Sequence, residues 1–247
     1  MKATPGTLQD GGASFATTHW SVVAQSALTD VPEAADALAQ LCEVYWPPIY
    51  SFVRRRGYSP PDAQDLTQSF FSYFLRTKAY ARTDRLQGRF RSFLLASVKH
   101  FLADESRRAM ALKRGKGQRL IPFDDIQEGE RIEVERYDRL TADQIYERRW
   151  ALTVLEQVMS RLSDEYRSAG NVRFFDHMKK MLMDEPDRPS QAQVALEFSM
   201  TENAVKQSFY RFRQRYQTLL REEIAHTVAV PGDVEDELRY LISVVRT

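Results

Sequence analysis

The residues best suited to bind another molecule lie near the C-terminus, between Asn203 and Arg221. This segment contains five Lys or Arg residues and no carboxylate. Its apolar residues recur at steps of four and three, which predicts a helix with one buried stripe and a basic outer surface. The stripe consists of Val205, Phe209, Phe212, Tyr216 and Leu219. Such a helix can neutralise phosphates with its cations and read base edges near its N-terminal end.

A short helix and a tight turn precede this basic helix. Val194, Ala195 and Phe198 share one face of the segment that begins at Pro189, and a Ser-Met-Thr connection follows. Thr201 is placed to cap the second helix. This order is typical of a helix-turn-helix, whose second helix enters the major groove of DNA. An ordinary helical hairpin with a basic surface is the alternative interpretation of the segment.

Charge is distributed unevenly along the chain, although the net charge is only +1. Residues 82–119 carry eleven Lys or Arg and three acids, whereas residues 124–147 carry nine acids and three Arg. Blocks of opposite sign suggest a DNA-facing module joined to an acidic connector. Residues 58–75 contain no cation, and Asp62 and Asp65 lie three residues apart there, on one face of a predicted helix.

Residues that usually carry catalysis or bind metal are sparse. The four histidines are far apart without metal-ligand spacing, and no phosphate-cradling glycine loop occurs. The single cysteine, Cys42, allows neither an intramolecular disulfide nor a cysteine metal cluster. We therefore expect no intrinsic enzymatic activity, no cofactor and no metal. The N-terminus lacks the apolar core of a signal peptide and no apolar run reaches about 18 residues, which predicts a cytoplasmic protein without a membrane partner.

The elements that must position these residues are all predicted to be helices, because glycine and proline are few and no strand alternation is visible. The predicted helices cover, approximately, residues 32–44, 48–56, 60–75, 90–110, 141–162, 171–183, the helix-turn-helix to 223, and a tail helix within 231–247. The fold class is all-α, with two helical domains joined by a linker. The predicted organisation is a disordered N-terminus at 1–14, a first domain at 15–110, a linker at 111–140, a helix-turn-helix domain at 141–224 and a helical tail at 225–247.

Three segments, in this order, resemble the extracytoplasmic-function (ECF) sigma factors, which are small two-domain promoter-recognition subunits of bacterial RNA polymerase. Residues 62–68 look like the acidic region 2 helix that binds the polymerase clamp. Residues 93–108 are similar to the helix that melts the promoter and reads the −10 element. Residues 191–215 look like the region 4 helix-turn-helix that reads the −35 element. The leader at 15–23 and the C-terminal tail look like those of a longer subgroup.

The resemblance implies a sigma factor that binds core RNA polymerase and directs −10 and −35 recognition, DNA melting and transcription initiation. The residues implied in polymerase binding are Asp62, Asp65, Gln68 and Ser69. Those implied in −10 DNA binding are Arg89, Arg91, Lys99, His100, Arg107 and Arg108. Those implied in −35 DNA binding are Thr201, Asn203, Lys206, Gln207, Arg211 and Arg213. Core polymerase and promoter DNA are the expected partners, and an anti-sigma or other regulatory protein is a further candidate.

Two other functions stay open. A stand-alone helix-turn-helix transcriptional regulator would need neither the acidic helix nor the basic upstream helix. A sigma-derived interaction protein that no longer reads promoters is suggested by Ser69, His100 and Ser208, which replace an acid, an asparagine and an arginine of the family pattern.

The tail has an amphipathic pattern of its own, with Val234, Leu238, Leu241, Ile242 and Val245 assigned to one side and Asp233, Glu235, Asp236, Glu237 and Arg239 assigned elsewhere. It is expected either to complete the helix-turn-helix core or to regulate the protein by docking on the basic surfaces.

Overall fold

Helices form all of the regular structure in the described part of the chain. The computed structural model describes residues 32–78, 89–113, 140–228 and 231–246. These ranges contain eight α-helices, one short 3-10 turn and no β-strand, so the predicted all-α class is confirmed for them. Within these ranges, no helix combines the length and apolar character needed to cross a membrane. The predicted disordered terminus and the leader lie outside the described residues.

Helix α1, Pro32–Arg55, is one continuous helix. The sequence predicted two helices with a break before Pro48, and that prediction is wrong. Pro47 and Pro48 lie inside the helix, where each removes a backbone N–H donor. Tyr45 and Ile49 are fully buried on either side of the prolines. Burial of side chains from both halves against the same core therefore offsets the lost hydrogen bonds.

Helix α2, Pro60–Arg76, begins where the sequence predicts. The Ser59 hydroxyl accepts a hydrogen bond from the Asp62 backbone N–H at 3.3 Å. The two prolines occupy the first turn, where backbone N–H groups have no partner within the helix. Helix α3, Phe90–Lys113, covers the predicted residues 90–110 and extends three residues into the predicted linker. Leu140 is described at the far end of that linker, and residues 114–139 lie outside the described ranges.

Helix α4, Ala142–Ser168, begins with a reciprocal capping box. The Thr141 hydroxyl accepts a hydrogen bond from the Gln144 backbone N–H at 3.2 Å, and the Thr141 N–H donates to Gln144 Oε1 at 2.8 Å. Helix α5, Val172–Met183, follows close to its predicted position. It ends at Asp184, whose φ of 55° places it in the left-handed region.

The predicted helix-turn-helix consists of helix α6, Gln191–Glu197, and helix α7, Glu202–Ala225. A 3-10 turn then leads into helix α8, Val234–Arg246, which confirms the predicted tail helix. Helix α8 packs on α4 and α7. Leu241 is its one fully buried apolar side chain in the described range, whereas Ile242 is 46% exposed.

The core joins the N-terminal and C-terminal helices. Helix α1 packs mainly on α4, where Phe52 meets Tyr146 edge to face with ring centroids 6.5 Å apart. Trp150, also on α4, is fully buried. Side chains from both predicted domains belong to one cluster of buried residues. The division into two domains stays a prediction, and in this conformation the two blocks share a core.

Candidate nucleic-acid interface

The turn between α6 and α7 is fixed by backbone and side-chain hydrogen bonds. Ser190 caps α6 through a capping box with Gln193, at 3.2 and 2.8 Å. After α6, Ser199 has a φ of 51°, and the Met200 N–H donates to the Ala195 carbonyl at 2.8 Å. The left-handed residue and this hydrogen bond reverse the chain within three residues, which is a helix C-terminal motif. The turn therefore sets the direction in which α7 begins.

The N-terminus of α7 is capped as the sequence predicts. The Thr201 hydroxyl accepts a hydrogen bond from the Ala204 N–H at 3.1 Å. Of the predicted apolar stripe, Val205, Phe212 and Leu219 are buried, and Phe209 and Tyr216 are half-buried. The Phe212 ring lies 5.6 Å from the ring of Tyr166 on α4 and 5.8 Å from that of Phe175 on α5. These contacts hold α7 so that its opposite face points outward.

The outward face of α7 carries the residues predicted to bind −35 DNA. All six are exposed: Thr201, Asn203, Lys206, Gln207, Arg211 and Arg213. Tyr210 is 60% exposed on the same stretch. In the described part of the chain, neither Lys206 nor Arg213 has a carboxylate partner, and Arg211 donates to the Ser208 hydroxyl at 3.2 Å. Residues 203–213 thus present amide groups and cations, and none of these cations is paired with a carboxylate in the described part of the chain.

The second half of α7 differs, because its arginines are paired. Arg215 makes a bidentate contact with Glu165 of α4, at 2.5 and 2.9 Å, and this hydrogen bonding lowers the pKa of Glu165. Arg221 pairs with Glu235 of α8 at 2.8 Å. The basic character that the sequence shows along the whole helix is therefore concentrated by the fold into its N-terminal half.

The predicted −10 residues on α3 fall into two groups. Lys99, His100, Arg107 and Arg108 lie at least partly on the surface. Lys99 pairs with Asp143 of α4 at 2.5 Å, and Arg107 and Arg108 pair with acids three residues before them, in the same helix. Phe90, the first residue of α3, is buried in the core. The surface cations of α3 are thus accessible but partly neutralised.

Arg91 is buried, with 3% of its surface exposed. Its guanidinium donates to both oxygens of Glu237 on α8, at 2.6 and 3.3 Å, and to Glu147 on α4. The guanidinium carbon also lies 3.9 Å from the centre of the Tyr240 ring. In this conformation Arg91 cannot contact DNA, unlike the surface cations farther along α3. Arg89 is one-third exposed and pairs with the same carboxylate, Glu237, at 2.7 Å.

The electrostatics of this buried group follow from its contacts. Burial by itself lowers the pKa of Arg91, but the hydrogen bond to Glu237 and the charge of Glu147 hold that pKa above its ordinary value. Burial raises the pKa of Glu147, and Arg91 only partly opposes this effect. The sequence pattern predicted that Glu237 lies away from the apolar side of the tail helix, whereas the structure buries it completely. An acid spaced three from Val234 and four from Leu241 was the signal that could have identified it.

The predicted polymerase-binding residues share the outer face of α2. Asp62, Asp65, Gln68 and Ser69 are all exposed, while Ala63, Thr67, Phe70 and Phe74 are buried on the other side. The Ser59 hydroxyl donates to Asp62 Oδ2 at 2.6 Å. Asp65 has no ion-pair partner among the described residues. The exposed face therefore combines negative charge with short polar side chains.

Metal and thiol chemistry find no support in the described ranges. No cluster of three or more His, Cys, Asp or Glu residues there could hold a metal ion. Burial, with a smaller contribution from Glu43, raises the pKa of the Cys42 thiol to about 11. The thiol is thus protonated at neutral pH and is not an activated nucleophile.

Comparison of the chain with protein-family models, with curated proteins and with solved structures gives no match. The functional assignment therefore depends on the geometry of the surfaces described above and on the sequence resemblance.

Proposed function

We propose that this protein is a sigma factor of the ECF type, which binds core RNA polymerase and directs promoter recognition, DNA melting and transcription initiation. The observation that carries the proposal is the outward face at the start of α7. There the capped helix end presents Asn203, Lys206 and Gln207, and the sequence of α7 contains no acidic residue between Asn203 and Arg221. Helix ends of this composition fit the major groove, where ammonium and amide groups distinguish base edges.

Two further surfaces support the same function. The exposed acidic face of α2 has the charge needed to dock on a basic polymerase element, and opposite charges across an interface accelerate association. The surface cations Lys99, Arg107 and Arg108 of α3 suit the phosphates of a single strand. In this proposal residues 15–110 bind polymerase and −10 DNA, residues 141–224 bind −35 DNA, and the protein acts in the cytoplasm.

Binding to core polymerase tests the proposal most directly. Asp62→Lys combined with Asp65→Lys should weaken this binding by at least about tenfold for each charge reversed. The reason is that the double substitution places two positive charges against the basic polymerase element. The matched control is Glu156→Lys with Asp164→Lys, which makes the same charge change on the exposed surface of α4. Circular dichroism of both variants should equal that of the parent. Equal affinity of the two double variants would refute docking through α2.

Base reading by α7 is tested separately with alanine variants in a selection from random duplex DNA. Lys206→Ala and Gln207→Ala should each cost about 1–3 kcal/mol and relax selectivity at one position. Arg213→Ala should weaken binding to all sequences alike, because a phosphate contact carries no sequence information. Unchanged sequence profiles for both Lys206→Ala and Gln207→Ala would exclude base reading by this face.

The −10 assignment predicts that residues of α3 bind the single-stranded non-template strand of the promoter. Lys99→Ala and Arg107→Ala should weaken that binding and reduce its dependence on salt, because fewer counterions are released. His100→Ala should change base preference instead. If the α3 residues bound duplex DNA more tightly than single-stranded DNA, the −10 assignment would be wrong.

Run-off transcription with core polymerase separates the competing functions. A sigma factor supports specific initiation. Binding to duplex DNA without binding to polymerase would indicate a stand-alone helix-turn-helix regulator. Binding to polymerase without initiation would indicate a sigma-derived interaction protein.

A further inference from the structure

The C-terminal helix α8 meets the start of α3 through charged side chains. Glu237 projects from α8 and is completely buried, although two neighbouring acids, Glu235 and Asp236, are exposed. Its two oxygens contact Arg91 at 2.6 and 3.3 Å and Arg89 at 2.7 Å. One acidic side chain thus occupies both arginines at the beginning of α3.

Tyr240 reinforces this contact one turn farther along α8. The centre of its ring lies 3.9 Å from the guanidinium carbon of Arg91 and 5.6 Å from that of Arg89. Both distances fall within the range of cation–π attraction. The two arginines are therefore each bound twice by α8, once by charge and once by an aromatic face.

Besides Leu241, the apolar side chains that seat α8 on the core are only partly buried: Val234, Leu238, Tyr240, Val244 and Val245. Leu241 is its one fully buried apolar side chain, and Ile242 is 46% exposed. A groove of about 400 Å³ runs beside the ionic cluster, between α8 and the helices α3 and α4. It is lined by residues that include Leu95, Asp143 and Val244. Packing of α8 is therefore incomplete next to the charged contact, and a helix of 13 residues is marginal without external support.

A buried ion pair stabilises a fold little better than well-packed apolar residues, and its best-attested use is to set a register or a switch. We propose that α8 is an autoinhibitory latch. Glu237 occupies Arg89 and Arg91, so that these two arginines can bind the phosphates of single-stranded promoter DNA only after α8 leaves. Arg91 keeps its contacts with Glu147 and the Trp150 ring of α4 and would bind a phosphate through the donors that Glu237 releases. The proposal rests on the proposed function only for the identity of the anionic partner.

The first test measures whether α8 detaches on its own. In full-length Glu237→Ala, the amides of residues 234–246 should exchange hydrogen about 100-fold faster than in the parent chain. The reason is that Arg89 and Arg91 lose the carboxylate that attracts α8 to them. Amides of α5, α6 and α7 should be unaffected. Glu235→Ala is the control, since Glu235 also lies on α8 and forms an exposed ion pair with Arg221 of α7. This substitution should change the exchange rates of residues 234–246 by less than about fivefold.

The second test measures what the freed arginines bind. Affinity of Glu237→Ala for a 12-nucleotide single strand should rise about tenfold. The slope of the logarithm of this affinity against the logarithm of the salt concentration should become steeper by about 1–1.5, since each phosphate neutralised on a single strand contributes about 0.7. Adding Arg89→Ala to the Glu237→Ala chain should remove about half of that steepening. Heparin, a polyanion without bases, should show the same gain.

Three results would overturn the latch. Unchanged exchange in α8 would show that Glu237 does not hold it. Faster exchange throughout α5–α7 as well would show that the cluster supports the whole fold. Local release of α8 without any gain in affinity for heparin or the oligonucleotide would show that the arginines are not inhibited. A gain for heparin in a protein that does not bind core polymerase would leave the latch intact and reject the sigma-factor assignment instead.

Discussion

Removing the Arg91 guanidinium should destabilise the protein strongly, because it lies between two carboxylates that are themselves largely buried. Glu237 is fully buried and the side chain of Glu147 is 14% exposed. In Arg91→Ala, Glu147 loses its guanidinium partner and Glu237 keeps Arg89 alone. Breaking a buried pair from one side costs about 3–5 kcal/mol. Loss of the contact with the Tyr240 ring adds about 0.5–2 kcal/mol.

Two features of the site limit the loss of stability in Arg91→Ala. Arg89 remains beside Glu237, and α8 can detach instead of keeping Glu237 buried without Arg91, so the part of the cost that comes from Glu237 cannot exceed the free energy with which α8 docks. We therefore expect the free energy of unfolding to fall by about 3 kcal/mol, within the range for breaking a buried pair. For a chain of this length, Tm should fall by roughly 6–12 °C.

Urea unfolding at pH 7, followed by tryptophan fluorescence, measures this change. Arg239→Ala, which removes an exposed pair with Asp236, is the control and should stay within about 0.5 kcal/mol of the parent. Adding Glu147→Gln to Arg91→Ala should recover about 1 kcal/mol, because one uncompensated charge is removed. A loss below about 1 kcal/mol for Arg91→Ala would refute the structural role assigned to this arginine.

The same variant should show a defined pH dependence. Burial already raises the pKa of Glu147, and Arg91 opposes that effect, so Arg91→Ala should raise the pKa further. A carboxyl whose pKa is higher in the folded state contributes stability below its unfolded pKa and loses it as pH rises through the folded value. The difference in the free energy of unfolding between the parent chain and Arg91→Ala should therefore shrink as pH falls from 7 toward 5. A deficit that grows on acidification would contradict this reasoning.

Three further predictions concern the helix-turn-helix. Thr201→Ala should cost about 1 kcal/mol of stability, because the Ala204 N–H loses its acceptor, and Thr201→Ser should restore most of it in thermal unfolding. Glu165→Gln should cost less than about 1 kcal/mol at pH 7, since the pair with Arg215 is about 40% exposed. Because that pair lowers the pKa of Glu165, the difference should vanish as pH falls through the folded pKa, and a difference that persists at pH 2 would exclude the ion pair as its cause. Phe212→Ala should cost about 3–5 kcal/mol by opening a cavity between α4, α5 and α7, and a smaller loss in urea unfolding would mean that the site collapses around it.

The sequence by itself determined the local elements of this protein. Apolar residues at helical spacing specified the helices, and short-range hydrogen bonding specified where several of them begin. Ser59 and Thr201 are recognisable as caps because the hydroxyl and its backbone donor lie within three residues. The exposed faces of α2 and α7 follow from the same periodicity, because placing one stripe in the core puts the opposite stripe in solvent.

Tertiary structure decided the rest, because those features depend on residues that are distant in sequence. The continuity of α1 through Pro47 and Pro48 depends on packing against α4, which local preferences do not encode. Arg91 appeared to be one of several DNA-facing cations, yet its partner Glu237 lies 146 residues away in the chain. Local pattern indicates that a side chain is charged, whereas the fold determines whether that charge meets solvent, a ligand or another part of the same molecule.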